Sequence, residues 1–186
     1  MSYKYRSTAV WLLIGLLAGC ATTWVRVDDA NREYRNEFYR VTLPPGWYRH
    51  QSGDSLLLSK DGLDLQRILI QYHPHEKAFE TLDKPSAATM LPSELAELTI
   101  ANINAGQEGG LPSMTILGNE PMEIAGHGGF SVHLRFKADA GLRIELLVRG
   151  FVDEQGFYLL MYRAPTLHYF ARDRQVFESV SESFRI

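Results

Sequence analysis

Four strand-like runs fill the second half of the chain, Thr115 to Ile124, Phe130 to Ala138, Leu142 to Val152 and Phe157 to Tyr162. Only short, glycine-bearing segments separate them: Gly126-His127-Gly128-Gly129, Asp139-Ala140-Gly141 and Asp153-Glu154-Gln155-Gly156. Parallel neighbours need a crossover of a dozen residues or more, so loops this short confine the four runs to an antiparallel meander. Upstream, Ser55 to Lys60 and Leu65 to Tyr72 read as two further strands around Asp61-Gly62, a strong hairpin signal. Glu37 to Leu43 alternates at period two, with Phe38, Arg40 and Thr42 on one face and Tyr39, Val41 and Leu43 on the other, until Pro44-Pro45-Gly46 turns the chain before Trp47.

Two segments carry helical spacing. Ser93 to Ala105 places Leu95, Leu98 and Ile103 on one face, with Ser93 positioned to cap the first turn and Gly106, Gly109 and Gly110 to stop the helix. A closing helix from Thr166 to Ser181 aligns Leu167, Phe170, Phe177, Val180 and Phe184 in one stripe and leaves Glu178 on the outer surface. Between strands and first helix, His73 to Pro92 is broken by prolines and charges into a crossing segment. The sum is an α+β domain: an antiparallel sheet of six to seven strands flanked by helices.

The amino terminus has a different build. Lys4 and Arg6 precede an apolar run from Ala9 to Leu17, and the small pair Ala18-Gly19 follows, which is the make-up of a secretory signal. The run is too short to span a bilayer, which takes about 20 apolar residues. Leu17-Ala18-Gly19-Cys20 resembles the lipobox of bacterial lipoproteins, and Cys20 is the only cysteine of the chain. The resemblance implies that residues 1–19 are removed as a signal peptide and that Cys20 carries a diacylglycerol and an amino-terminal acyl group such as palmitate. Two or more acyl chains give stable anchoring where one does not. Residues 20–36 then read as the acylated cysteine and a charged tether, with Trp24 and Val25 able to rest at the membrane interface, and residues 37–186 as one domain. Ala21, not Asp, follows the cysteine, which in such lipoproteins goes with the periplasmic face of the outer membrane rather than the inner membrane.

Loss of Lys4 and Arg6 lowers Lys+Arg from 19 to 17 against 22 Asp+Glu, so the net charge goes from -3 to -5. An acidic domain without clustered Lys and Arg is not built to hold nucleic acid. With Cys20 acylated no disulfide can form within the chain, and stability rests on the core.

Phe38-Tyr39-Arg40-Val41-Thr42-Leu43-Pro44-Pro45-Gly46-Trp47, Leu56 to Gly62 and the closing Phe177, Val180, Ser183 and Phe184 resemble the PsbP-like superfamily. The resemblance implies an α/β/α sandwich and a habit of binding other proteins. It carries over no catalytic residue and no cofactor.

Candidate chemistry is sparse. His73-Pro74-His75, with Glu76 or Asp83, offers imidazoles to a zinc ion, but no third or fourth ligand has recognisable spacing, and a polar loop at a strand end is the plainer reading. Gly126-His127-Gly128-Gly129 is like the oxyanion loop of esterases, yet no Gly-x-Ser-x-Gly elbow accompanies it, so a hairpin turn is expected. Rings and guanidinium groups gather at Tyr158, Tyr162, Arg163, His168, Tyr169, Phe170 and Arg172, and again at Trp47, Tyr48 and Arg49. Such mixtures enrich interface centres, and Trp47, Arg49, Tyr169 and Arg172 are the expected interaction residues. Three functions follow in order: a membrane-tethered module docking onto an envelope protein, a binder of a small molecule or lipid between sheet and helix, and, last, an enzyme of unrecognised type.

Overall fold

The computed structural model describes residues 24–138 and 141–186. The expected signal segment and Cys20 lie outside the described residues. The strands are β1 (Val25–Arg26), β2 (Glu33–Arg35), β3 (Arg40–Thr42), β4 (Tyr48–Ser52), β5 (Ser55–Ser59), β6 (Arg67–Pro74), β7 (Thr115–Ile124), β8 (His127–Lys137), β9 (Arg143–Val152) and β10 (Gly156–Pro165); the helices are α1 (Pro92–Ala105) and α2 (Ala171–Ser183). Eight strands form one antiparallel sheet in the order β1-β4-β5-β6-β10-β9-β8-β7, and β2 pairs with β3 in a separate ribbon. The expected meander is the run β7 to β10, and β10 joins it to the β5-β6 hairpin along β6.

The expectation for the amino-terminal part is corrected. Residues 24–36 are not a tether: Val25 and Arg26 pair with Arg49 and Tyr48, Val27 is wholly buried, and Tyr34 packs in the same cluster. The strand expected from Glu37 to Leu43 contracts to Arg40–Thr42 and sits outside the main sheet. Its start is cut short because the Asn36 carboxamide oxygen accepts the N–H groups of Phe38 and Tyr39 and turns the chain there, an Asx turn that alternation does not reveal.

Side chains alternate across the sheet, so each strand feeds two cores. Tyr158, Leu160 and Tyr162 of β10 face α2, with Phe170, Phe177, Val180 and Phe184. Phe157, Leu159 and Met161 face α1, with Leu95 and Ala96. Helix α1 begins on Pro92, whose fixed φ and missing N–H suit a first turn, and Ser93 makes no capping bond. Helix α2 begins five residues later than expected. Thr166–Phe170 forms a wide turn broken at Leu167 (ψ 125) and His168 (φ 69), which throws Leu167 out of the stripe and leaves it 82% exposed. Among the described residues no helix is long and apolar enough to cross a membrane.

Candidate functional site: a braced turn and a cavity

The loop between β5 and β6 is closed by its own polar groups. The Ser59 hydroxyl donates to the Gln66 carbonyl at 2.9 Å and accepts the Gly62 N–H at 3.2 Å. Gly62 has φ +125, open to glycine alone among unstrained residues. The Asp61 carboxylate, carried outward by this loop, accepts from Gln66 Nε2 at 2.9 Å and from Arg172 at the start of α2. Arg172 also donates through Nε to the buried Asp173 at 2.9 Å, so one guanidinium ties the hairpin loop to the helix. The bond from Arg172, then that from Gln66, holds the Asp61 carboxyl below its ordinary range, and Asp173 and Asp61 in turn raise the Arg172 guanidinium. Arg172 lies 4.9 Å from the centroid of the Tyr169 ring, and the Tyr162 hydroxyl donates to the Tyr169 carbonyl at 2.9 Å. The turn that presents Leu167, His168 and Tyr169 is therefore braced from below by Tyr162 and from the side by Arg172.

Of the four expected interaction residues, the structure brings Tyr169 and Arg172 together at this turn. Trp47 is elsewhere and 2% exposed, a correction: Gly46 at φ +79 and the bond from the Val27 N–H to the Trp47 carbonyl, 2.7 Å, fold the indole into the core, and Tyr48 points out in its place. Arg49 is half-buried, its guanidinium 5.6 Å from the Tyr34 ring, and serves packing. Exposed Trp24 and Tyr48 instead line a shallow depression with Lys60, Gly62 and Leu63, next to Asp61. Leu167 was missed because helical spacing assigns apolar residues inward by default, whereas Tyr48 lay in the second cluster of rings that the sequence marked.

The histidine candidates sit in stacked or hydrogen-bonded positions. His73 ends β6 against the Phe157 ring, and His75 Nδ1 lies 2.8 Å from the Ser86 hydroxyl. Among the described residues no group of three His, Cys, Asp or Glu is placed to hold a metal ion. His127 opens β8 after the Ala125-Gly126 turn and stacks on Phe151 at 5.0 Å, as a hairpin residue would. On the α2 face, buried Glu145 has both oxygens engaged, by His133 Nε2 at 2.7 Å and Arg135 at 3.0 Å.

On the opposite face, α1 does not close fully on the sheet. A cavity of about 350 Å³ remains, floored by Leu69, Leu146 and Met161, walled by Ile103 and Leu111, and bordered by Arg67 and Arg163.

No protein-family model and no curated protein sequence matches the chain. Solved structures do match. Cyanobacterial PsbP (CyanoP) from Synechocystis sp. PCC 6803 is 12% identical, with a TM-score of 0.60 over 83% of this chain and 91% of that one. The Ran-binding protein Mog1p of Saccharomyces cerevisiae is 10% identical, with a TM-score of 0.56 over 88% and 94%. At these identities the likeness is one of fold, and the chain has the α+β fold that PsbP and Mog1p share.

Proposed function

We propose that this chain is a non-enzymatic interaction module held at the bacterial cell envelope by lipid on Cys20, which presents the turn Thr166–Tyr169 to a protein partner. The observation that carries the reading is Leu167: a large apolar side chain, 82% exposed, on a turn whose backbone is strained at His168 and braced by Tyr162 and Arg172. Strain at a surface turn persists only where the surroundings hold it, and it gathers at sites of recognition. An exposed apolar anchor on a braced turn, next in the chain to His168 and Tyr169 and with Arg172 over the Tyr169 ring, has the composition of an interface centre and loses little entropy on docking. Support also comes from the fold, since one protein that shares it is named for binding Ran. Residues 1–19 act as the signal peptide, and the domain begins near Trp24, only a few residues after Cys20, so the Trp24–Tyr48 depression lies close to the membrane.

Pull-down from solubilised envelope with the acylated chain as bait tests the reading. Leu167→Ala should weaken partner recovery by about 2 kcal/mol or more, the mark of an interface anchor, with an unchanged melting temperature. Equal recovery by Leu167→Ala and the parent chain would place the interface elsewhere. Labelling with a palmitate analogue tests the anchor: Cys20→Ala should lose the label, and equal label in the variant would remove the envelope assignment.

A further inference from the structure

The cavity under α1 joins two features that are costly separately and make sense together. In the β6-β10 register Arg163 stands opposite Arg67 and Met161 opposite Leu69, so two guanidinium groups sit side by side at the end of an apolar trough. Neither arginine makes an ion pair among the described residues, although the surface of this chain is rich in carboxylates. Burial first, and the like charge of Arg67 second, hold the Arg163 guanidinium below its ordinary value, with Asp64 only partly opposing them. A contact with the Phe136 ring at 6.0 Å lies at the outer limit of cation–π attraction. Paired, half-buried cations with no carboxylate in ion-pair contact are unfavourable unless an anion joins them.

The trough is also built for length. A second hollow of about 150 Å³ shares Thr81, Asn102, Ile103 and Met161 with the first and runs on to Phe79, Phe157 and Leu159. The shared rim is fixed, since the Asn102 carboxamide oxygen accepts the Thr81 N–H at 3.0 Å and ties the Glu80–Leu82 turn to α1. In the second hollow Thr99, 2% exposed, has a hydroxyl with no hydrogen-bond partner. A volume of a few hundred Å³ with apolar walls and a few convergent polar groups is the usual form of a small-molecule site.

We propose that this cavity binds a single-chain amphiphile with a carboxylate head, a fatty acid, its head between Arg67 and Arg163 and its tail along Leu69, Leu146, Met161 and Ile103. Guanidinium groups match a carboxylate through two parallel N–H···O bonds, and the acyl tail fills space that α1 leaves empty. This site lies on the face of the sheet opposite α2 and is independent of the braced turn.

Methyl NMR of the full chain, carried in nanodiscs of neutral phosphatidylcholine, tests it. Octanoate should give a saturable shift of the Met161 methyl and leave that of Met122, on the other face, in place. Acetate, which has the head alone, and octyltrimethylammonium, which has the same tail with the opposite charge, should give none. Arg67→Gln and Arg163→Gln should each weaken octanoate binding by about tenfold. An octanoate response that does not saturate, an equal response to the cationic probe, or unchanged binding in the variants would overturn the proposal. Should Arg163→Gln melt early, Arg67→Gln and the cationic probe decide.

Discussion

The two faces of the central sheet are built from alternate residues of the same strands, yet where β10 crosses the sheet one is filled by aromatic rings and the other leaves a trough. Toward α2, Tyr162 stacks on Phe170 at 5.4 Å and on Phe177 at 5.8 Å, while Phe151 stacks on Tyr158 at 4.8 Å and meets Phe184 edge-on. Toward α1, the same stretch of β10 offers Phe157, Leu159, Met161 and then Arg163, and α1 answers with Leu95, Ala96 and half-buried Leu98 and Ile103. Strand alternation puts apolar groups on both sides, so the difference lies in the helices. On one side Phe177 of α2, flanked by Phe170 before the helix and Phe184 after it, reaches the sheet, and on the other α1 supplies aliphatic side chains and leaves a trough. A packed face resists change, whereas a trough is free to take a ligand.

The sharpest test of that contrast is truncation on each face. Phe177→Ala, at a site with no exposure, should lose about 3 to 5 kcal/mol, whereas Met161→Ala, already beside empty space, should lose about 2 kcal/mol or less. Denaturant melts giving equal losses would mean that the α1 face is as tightly closed as the other. Next in size is Glu178→Ala. The residue was expected on the outer surface, but it is half-buried and pairs with Arg149, which is itself buried under α2 and 5.2 Å from the Phe177 ring. Removing the carboxylate strands that guanidinium, and a loss of about 1 to 3 kcal/mol is expected in place of the few tenths of a surface change.

A smaller effect concerns pH and the α1 side. Burial against Phe157 holds the His73 imidazole below its ordinary value, and Glu80 and Asp54 do not fully offset it. Below about pH 6.5 the unfolded chain takes up a proton that the folded chain refuses, so this contribution to stability is complete above that pH and falls until the folded value is passed. His73→Phe should flatten the stability curve in this window, and an unchanged slope would assign it to other groups. The smallest effect is at Leu167, where alanine should change stability by no more than about 0.5 kcal/mol because the side chain touches little. A larger loss would mean that the turn is part of the α2 core after all.

Much of the fold was legible because its signals are local. The β7 to β10 meander follows from loop length alone, and the β5-β6 hairpin from Asp61-Gly62 with a strand on either side. The failures share a cause. Residues 24–36 looked like a tether because β1 and β2 are too short to show alternation, and the partner of β1, β4, lies well downstream. Trp47 looked exposed because a Pro-Gly turn precedes it, yet that turn with Gly46 at positive φ swings the ring inward. Leu167 fitted the stripe of α2 by spacing, but spacing counts only within an unbroken helix, and His168 breaks it. Of the interaction residues, Tyr169 and Arg172 fell in the region rich in rings and guanidinium groups, while the brace that Asp61 supplies across 111 positions had no sequence signal.

By itself the sequence determined the α+β class and the antiparallel order of the meander, since periodicity and loop length act over a few positions. Only the tertiary structure decided that α1 leaves a trough where β10 crosses the sheet, that Trp47 is core and Leu167 is not, and that Arg67 stands beside Arg163. Those outcomes depend on register and helix placement between distant segments, where loop-closure entropy and packing, rather than local preference, select the arrangement.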